Sequence, residues 1–535
     1  MLAASQADAL QMLAAGYSVR EARAELGIVG TARREAMSGV EALLASPSVF
    51  FPRGASELQE ALNRPLDLWR IFLHPSQRRI AYRETYSGPV RVTGGAGTGK
   101  TVVAVHRAHY LAGRLPAGST RPVLVTTFVR TLADNLRSSL GSLAGSYGYG
   151  NIEVTTVDAL ARRIVRQAEG REPKVLADND RIAMLWDVAA AGLLAPLTGA
   201  ALRQEWEQVI LAQGLRSEAE YLGAPRPGRG LRLTRAQRLM VWQALGRFLE
   251  NREKTGERTF YQLADDAARY LSQAPTAELF AHVIVDEAQD LHPVQWRLLR
   301  AAVPDGPNDL FVVGDAHQRI YDHRVSLSSL GINVRGRSHR LNLNYRTTEE
   351  ILRWAVGLLR GQMVDDMDAG VDTLDGYRSA FRGSAPPVLT GYASHDAEME
   401  GLVVTVRGWI DRGVDPAAIG VAARMKKSVL AAISTLRDAG LDACDLERKS
   451  RGGVEVGTMH RMKGLEYRAM AVIDVSAASV PLRWAVTPVD ADPKAHEQDT
   501  LRERCLLYVA CTRARELLTV SWSGHASPFL SPFLS

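Results

Sequence analysis

Cysteine is nearly absent: Cys444, Cys505 and Cys511 are the only three in 535 residues, with no CxxC pair and no metal-ligand spacing. That excludes a zinc framework and a disulfide scaffold and suits a reducing compartment. Long apolar runs are missing too, so no segment reads as spanning a bilayer. The opening stretch alternates polar and apolar residues at helical spacing and lacks the basic start and unbroken apolar core of a signal peptide. A cytoplasmic setting without a membrane partner is therefore expected. Neither sign of charge dominates: 65 Lys and Arg face 59 Asp and Glu, for a net charge of +6. This balance permits a nucleic-acid partner without requiring one. Internal repeats and low-complexity tracts are also lacking.

What is present is an ordinary globular composition, 46% hydrophobic and 23% charged, in a chain whose length implies roughly two to four domains. Apolar, β-branched runs followed by helical periodicity recur at 89–92, 122–125, 152–155, 282–285, 310–313, 418–423, 453–458, 470–475 and 517–522. That alternation predicts an α/β protein built on parallel sheets. The runs fall into two groups. Residues 71–165 and 272–343 read as two parts of a first α/β domain, 166–271 as a helical insert within it, and 344–535 as a second α/β domain. Residues 1–70 read as a helical N-terminal cap, in which 16–28 faintly resembles a helix-turn-helix. The Gly- and Asp-rich stretch 361–387 reads as surface loop or short helix.

The segment Gly94, Gly95, Ala96, Gly97, Thr98, Gly99, Lys100, Thr101 matches G-x-x-x-x-G-K-[ST], with a strand pattern before it and a helical one after. This is a phosphate-binding loop. Its glycines let backbone N–H groups close around phosphate oxygens, Lys100 neutralises the outer phosphates, and the Thr101 hydroxyl can hold Mg²⁺. Asp286 and Glu287 emerge from the buried-strand pattern "HVIVDEAQD", at the sheet edge where ligands bind in such folds. Asp286 fits the metal-organising carboxylate, and Glu287 the base that positions and deprotonates a water. Arg346 stands before a helix with a capping box expected at Thr347 and Glu350, and Arg513 lies on the apolar stripe of the run before it. A cation beside a helix N-terminus, as at Arg346, is disfavoured by the dipole unless something negative lies nearby, whereas snorkelling or a helix C-terminus could place Arg513. Both also suit arginine fingers reaching a γ-phosphate across a domain cleft.

The ordered set Gln77, GGAGTGKT, TTF (126–128), DEAQD, VGDAHQRIY (313–321), NYRTTEEIL (344–352), TMHRMKGLEY (458–467) and LLYVACTRA (506–514) resembles the superfamily 1 helicases of the UvrD, Rep and PcrA kind. Motif spelling is especially similar to actinobacterial UvrD-like proteins. The resemblance implies two RecA-like P-loop domains that share one ATP site. It implies that Gln77 reads the adenine edge, Tyr345 stacks on the base, Glu466 contacts the ribose and Gln318 senses the γ-phosphate. It also implies a single-stranded DNA track on which Phe128 and Tyr321 stack bases, with Thr155, Thr156, Thr458, His460 and Lys463 contacting the strand.

Departures from the family pattern are equally specific. Val102 stands where relatives often carry an arginine against the other face of the adenine, so apolar packing is expected there. His323 occupies the place of a stacking tryptophan, and Arg130 replaces a small polar residue. Only a short stretch separates Arg424 from Val454, too little for the large accessory domain that relatives insert there. The expected function is an ATP- and Mg²⁺-dependent helicase or translocase on single-stranded DNA, 3′ to 5′, in repair or replication. Two alternatives stay open: an RNA strand, because stacking discriminates poorly against the 2′-hydroxyl, and a nucleotide-switched regulatory or defence ATPase that signals to a protein partner.

Overall fold

The structure is a computed structural model that describes residues 73–144, 150–226, 229–274, 279–321, 326–446 and 452–534, apart from single positions at 369, 375, 382, 384 and 491. The helical cap expected over 1–70, its helix-turn-helix-like stretch and His323 lie outside the described residues.

Two six-stranded parallel sheets form the frame. The first contains β1 (Val90–Gly94), β2 (Val123–Thr127), β3 (Ile152–Thr156), β4 (His282–Val285), β5 (Leu310–Gly314) and β6 (Ser338–Leu341), in spatial order β3-β2-β4-β5-β1-β6. The second contains β7 (Val388–Tyr392), β8 (Ile419–Ala423), β9 (Ala443–Asp445), β10 (Val454–Thr458), β11 (Tyr467–Ile473) and β12 (Ala514–Ser523), ordered β7-β12-β11-β8-β10-β9. Parallel strands need crossovers that cover both faces, which is why the central strands read as unbroken apolar runs. One face of the first sheet is covered by α1 (Pro75–Ala81), α2 (Lys100–Ala112) and α3 (Arg130–Ala144), the other by α4 (Val157–Glu169) and helices further along the chain.

Between β3 and β4 the chain leaves the sheet. Helices α5 (Asn179–Ala189), α6 (Gly199–Glu205), α7 (Glu218–Gly223) and α8 (Arg235–Thr255) build a separate core around Trp186, Trp206, Tyr221 and Phe248. The next helix, α9 (Phe260–Gln273), falls inside the span read as insert, yet its Leu263, Ala264, Ala267 and Leu271 pack with α4 and α10 (Pro293–Ala301) in the core of the first sheet. Helical periodicity marks α9 as a helix without saying which sheet its apolar face will meet.

The second sheet carries α11 (Glu349–Gly357) and α14 (Pro493–Cys511) on one face, α12 (His395–Asp411) and α13 (Lys426–Asp438) on the other. Among the described residues, one helix and a short strand lie between β8 and β10. The expected capping box at Thr347 and Glu350 does not form: α11 starts at Glu349 after Thr348, whose side chain makes no cap bond, and Glu350 Oε2 accepts from Gly383 N at 2.6 Å.

The stretch 361–387 contains short paired strands rather than plain loop or helix. Its acidic residues tie it to the first sheet: Asp366 pairs with Arg91 at 3.2 Å, Asp365 with Arg319 at 3.4 Å and Asp372 with Arg340 at 3.3 Å. The Met367 carbonyl also accepts from Leu327 N at 3.0 Å. Local composition signals loop, and the distant arginines that order it are invisible to that signal. Among the described residues no helix is long and apolar enough to cross a membrane.

Candidate functional site: a nucleotide cleft between two sheets

The loop at 94–101 runs from the end of β1 into α2, whose N-cap Gly99 provides no side-chain hydrogen bond. The helix N-terminus is thus left with backbone donors and a positive dipole end, the arrangement that binds phosphate. Gly97 and Gly99 have φ of +71° and +78°, where side chains are strained. A Cβ on Gly97 would lie 2.7 Å from Asn344 Nδ2, and one on Gly99 2.5 Å from Gln77 Nε2.

Lys100 is buried and donates to the carbonyls of Gly94 at 2.7 Å and Gly95 at 2.8 Å, with Asp315 at 3.7 Å. Thr98 closes the turn by donating to Gly95 O at 3.0 Å. Thr101 Oγ1 donates to Asp286 Oδ2 at 2.9 Å, bringing the hydroxyl and carboxylate expected around Mg²⁺ together between the start of α2 and the end of β4. Burial and the neighbouring Glu287 charge push the Asp286 carboxyl well above its ordinary range. A divalent cation would relieve that crowding of negative charge, so the donor set fits Mg²⁺. Glu287 sits in the left-handed region at φ 54° and accepts from Gln289 Nε2 at 2.5 Å. Although burial acts to raise it, Lys463, Lys100 and that hydrogen bond hold its carboxyl below the usual value.

The second half of the site arrives from beyond β6. Asn344 Nδ2 donates to Ala96 O at 2.6 Å, and Tyr345 N donates to Gly97 O at 2.8 Å, so the phosphate loop is clasped by the chain that leads into the second sheet. Arg513, just past the end of α14, is 1% exposed and donates through Nη2 to Gln318 Oε1 at 3.1 Å. Gln318 Nε2 in turn donates to Asp315 Oδ2 at 2.6 Å. A continuous path therefore links Arg513, Gln318, Asp315 and Lys100. Arg346 lies over the loop but pairs with Glu466 at 2.5 Å, so these two candidates face each other in this arrangement. The Cβ of Arg346 still borders Gly97.

Beside the loop lies a cavity of about 500 Å³ lined by His74, Gln77, Thr98, Arg340 and Tyr345 among others. Gln77 Nε2 donates to Thr98 O at 2.8 Å, and its Oε1 accepts from His74 N at 2.9 Å. The His74 and Tyr345 rings stand 5.6 Å apart, and His74 Nε2 is buried without a partner. An aromatic wall, an amide and an orphaned ring nitrogen fit a heterocyclic base. Val102 does not join them; it packs half-buried against the core beneath α2.

The strand-contact candidates are spread along the sheet edges. Phe128 and Tyr321 meet with centroids 4.6 Å apart, tilted by 50°, both half-buried. Thr155 is half-buried next to the end of β3, whereas Thr156 ends the strand and caps α4 by accepting from Ala159 N at 3.2 Å. Thr458 ends β10, and His460 follows it, its imidazole pushed down to about 4 by burial and by Arg424. Lys463 does not face outward: its side chain is buried and ion-paired with Asp290.

Sequence reading assigned no role to Asp315, Asp290, Asn344, His74 or Tyr377, whose ring lies where a Cβ on Gly95 would come within 2.6 Å. Asp315 carried a usable signal, since like Asp286 it ends a buried-strand pattern. Tyr377 carried none, because only the folding of 361–387 onto the first sheet brings it there.

Comparison with known proteins agrees with this geometry. Residues 73–330 match the UvrD/REP helicase N-terminal domain, and residues 423–525 match the UvrD-like helicase C-terminal domain. The chain is 26% identical to the ATP-dependent DNA helicase UvrD2 of Mycobacterium tuberculosis, over 82% of this chain and 77% of that protein. It is 26% identical to the DNA helicase II of Salmonella typhimurium over 52% of this chain and 39% of that protein. A solved C-terminal domain of a possible DNA helicase from Lactobacillus plantarum aligns at 20% identity over 35% of this chain and 92% of its own, with a TM-score of 0.25. With the two halves of one family matched in order, and the phosphate loop of the first clasped by the chain leading into the second, the protein belongs to the UvrD/REP helicase family.

Proposed function

We propose that the chain is an ATP-driven motor that moves on single-stranded DNA, 3′ to 5′, and couples hydrolysis to duplex unwinding or to displacement of bound protein in DNA repair or replication, in the cytoplasm. The observation that carries this reading is the path from Arg513 through Gln318 and Asp315 to Lys100, because it joins the phosphate loop of one sheet to a cation of the other. A charge change at the phosphates then alters the contact between the domains. Support for the DNA substrate comes from the relatives' helicase names and from the paired rings of Phe128 and Tyr321, an apolar and π-rich ledge of the kind on which bases stack. The polarity follows the resemblance to UvrD, Rep and PcrA.

In this mechanism Tyr345, Gln77 and His74 receive the base, and the backbone donors at the start of α2 receive the phosphates. Lys100 and Arg513 stand where negative charge develops, with Arg346 brought in from its pairing with Glu466. Glu287, held ionised, accepts the proton of the attacking water. Mg²⁺ held by Thr101 and Asp286 would neutralise the phosphate oxygens. Steady-state ATP hydrolysis without nucleic acid, with single-stranded DNA and with RNA of the same sequence, at one stated low salt, tests the reading. Strong stimulation by DNA supports it, and stimulation by RNA alone moves the substrate. Hydrolysis indifferent to both would leave the nucleotide-switched ATPase with a protein partner as the better account.

A further inference from the structure

Lys463 belongs to the turn between β10 and β11 of the second sheet, yet each partner of its ammonium comes from the first domain. Nζ donates to Asp290 Oδ2 and to the Gln318 carbonyl at 2.6 Å, and lies 3.7 Å from Glu287 Oε2. An ammonium has three protons. Two are donated within the first domain, Glu287 adds an ion pair at 3.7 Å, and the side chain is only 6% exposed, so the charge is turned inward rather than towards a DNA phosphate. On the other side, Asp290 is buried, and its Oδ1 has no hydrogen-bond partner. Gln289, next to it, donates to Glu287 through Nε2 and accepts from Asp315 N through Oε1 at 2.9 Å. The segment 287–290 is therefore a short strained bracket, with Glu287 in the left-handed region, pinned from across the cleft by one cation.

We infer that Lys463 is a positioning residue for hydrolysis rather than a strand contact: closure of the second domain seats its ammonium on Asp290 and the Gln318 carbonyl, fixing Glu287 and Gln318 in working positions. This rests on the reading of Glu287 as the base. The cation is the only side chain of the second domain that touches both the acidic segment after β4 and the backbone of the γ-phosphate sensor among the described contacts. Hydrolysis thereby requires the closed arrangement. Arg513 grips the same Gln318 by its side chain, so the sensor is held at two points from the second domain.

The test compares Lys463→Ala, Lys463→Arg, Lys463→Met/Asp290→Asn and Glu287→Gln in the full chain, measuring kcat and KM for ATP on saturating single-stranded DNA and the salt dependence of DNA binding. Lys463→Ala is expected to lower kcat by roughly 10²-fold, the scale of a misplaced catalytic group, with KM nearly unchanged and the salt slope intact; Lys463→Arg should recover part of kcat. The double variant removes both buried charges, so its thermal stability should return while kcat stays low. Recovery of kcat in the double variant would overturn the inference, since Lys463 would then merely neutralise Asp290. So would a salt slope reduced by about one unit in Lys463→Ala, the mark of a lost phosphate contact. Turnover in Glu287→Gln would remove the base assignment separately, whatever the lysine variants show.

Discussion

In the nucleotide cleft the side chains hold one another, whereas along the strand edge, beyond the touching rings of Phe128 and Tyr321, each candidate is held by something else. Lys100, Asp315, Gln318 and Arg513 form a single chain of contacts, every member buried. Phe128 instead leans on the core of the first sheet and Tyr321 on that of the second, Thr156 is occupied as a helix cap, and His460 sits in the field of Arg424, Glu503 and Arg502. A buried network of charges is costly unless each member is satisfied, so its geometry is over-determined and single changes propagate. A ledge of separately supported groups gives way one contact at a time.

Four measurements break or sharpen that contrast, beginning with the largest. Lys100→Ala, or Glu287→Gln, should abolish ATP hydrolysis; wild-type turnover in either would dissolve the cleft assignment. Arg513→Ala should lower kcat by about 10³ to 10⁵, the range of an arginine finger, and a loss confined to KM would reduce it to a binding group. On the strand side, Phe128→Ala should weaken single-strand affinity by roughly 1–3 kcal/mol without touching hydrolysis in the absence of DNA. Unchanged affinity would assign the ring to the core. Smallest is the effect of pH on His460. Its folded pKa, near 4, lies below the ordinary 6.5, so the folded form binds fewer protons and the ring stays neutral from pH 8 to 6. DNA affinity at fixed salt should therefore not rise through His460 over that range, and wild type and His460→Gln should titrate alike. The same depression makes its contribution to stability complete above 6.5 and lost as pH falls towards 4.

The contrast also governs what was legible. The phosphate loop, Asp286, Glu287 and the nine predicted strands are local patterns with a direct physical cause, and the sheets contain all nine. The parts that could not be read depend on groups far apart in the chain. Lys463 looks like an exposed cation in a polar turn until Asp290 meets it, and α9 looks like insert until its apolar face meets α4. Thr347 and Glu350 have capping-box spacing, but Gly383 claims the carboxylate. The edge strands β6, β7 and β9 escaped notice because half-exposed sequences such as "SHRL" and "VLTGY" lack the apolar run of a central strand.

The ties from 365–372 to Arg91, Arg319 and Arg340 have a mechanical meaning. Arg91 and Arg340 belong to β1 and β6, at one margin of the first sheet, and the covalent crossing at 341–343 lies at that same margin. The joint is thus mounted like a door on several pins along one jamb. Phe128, just past β2, and Thr155, near the end of β3, stand at the far margin; β3 lies five strands across from β6, roughly 24 Å at about 4.8 Å per strand, and β2 one strand nearer. A swing of a few degrees at the pinned jamb becomes a travel of a few ångströms at the free edge, with no element of the door needing to bend.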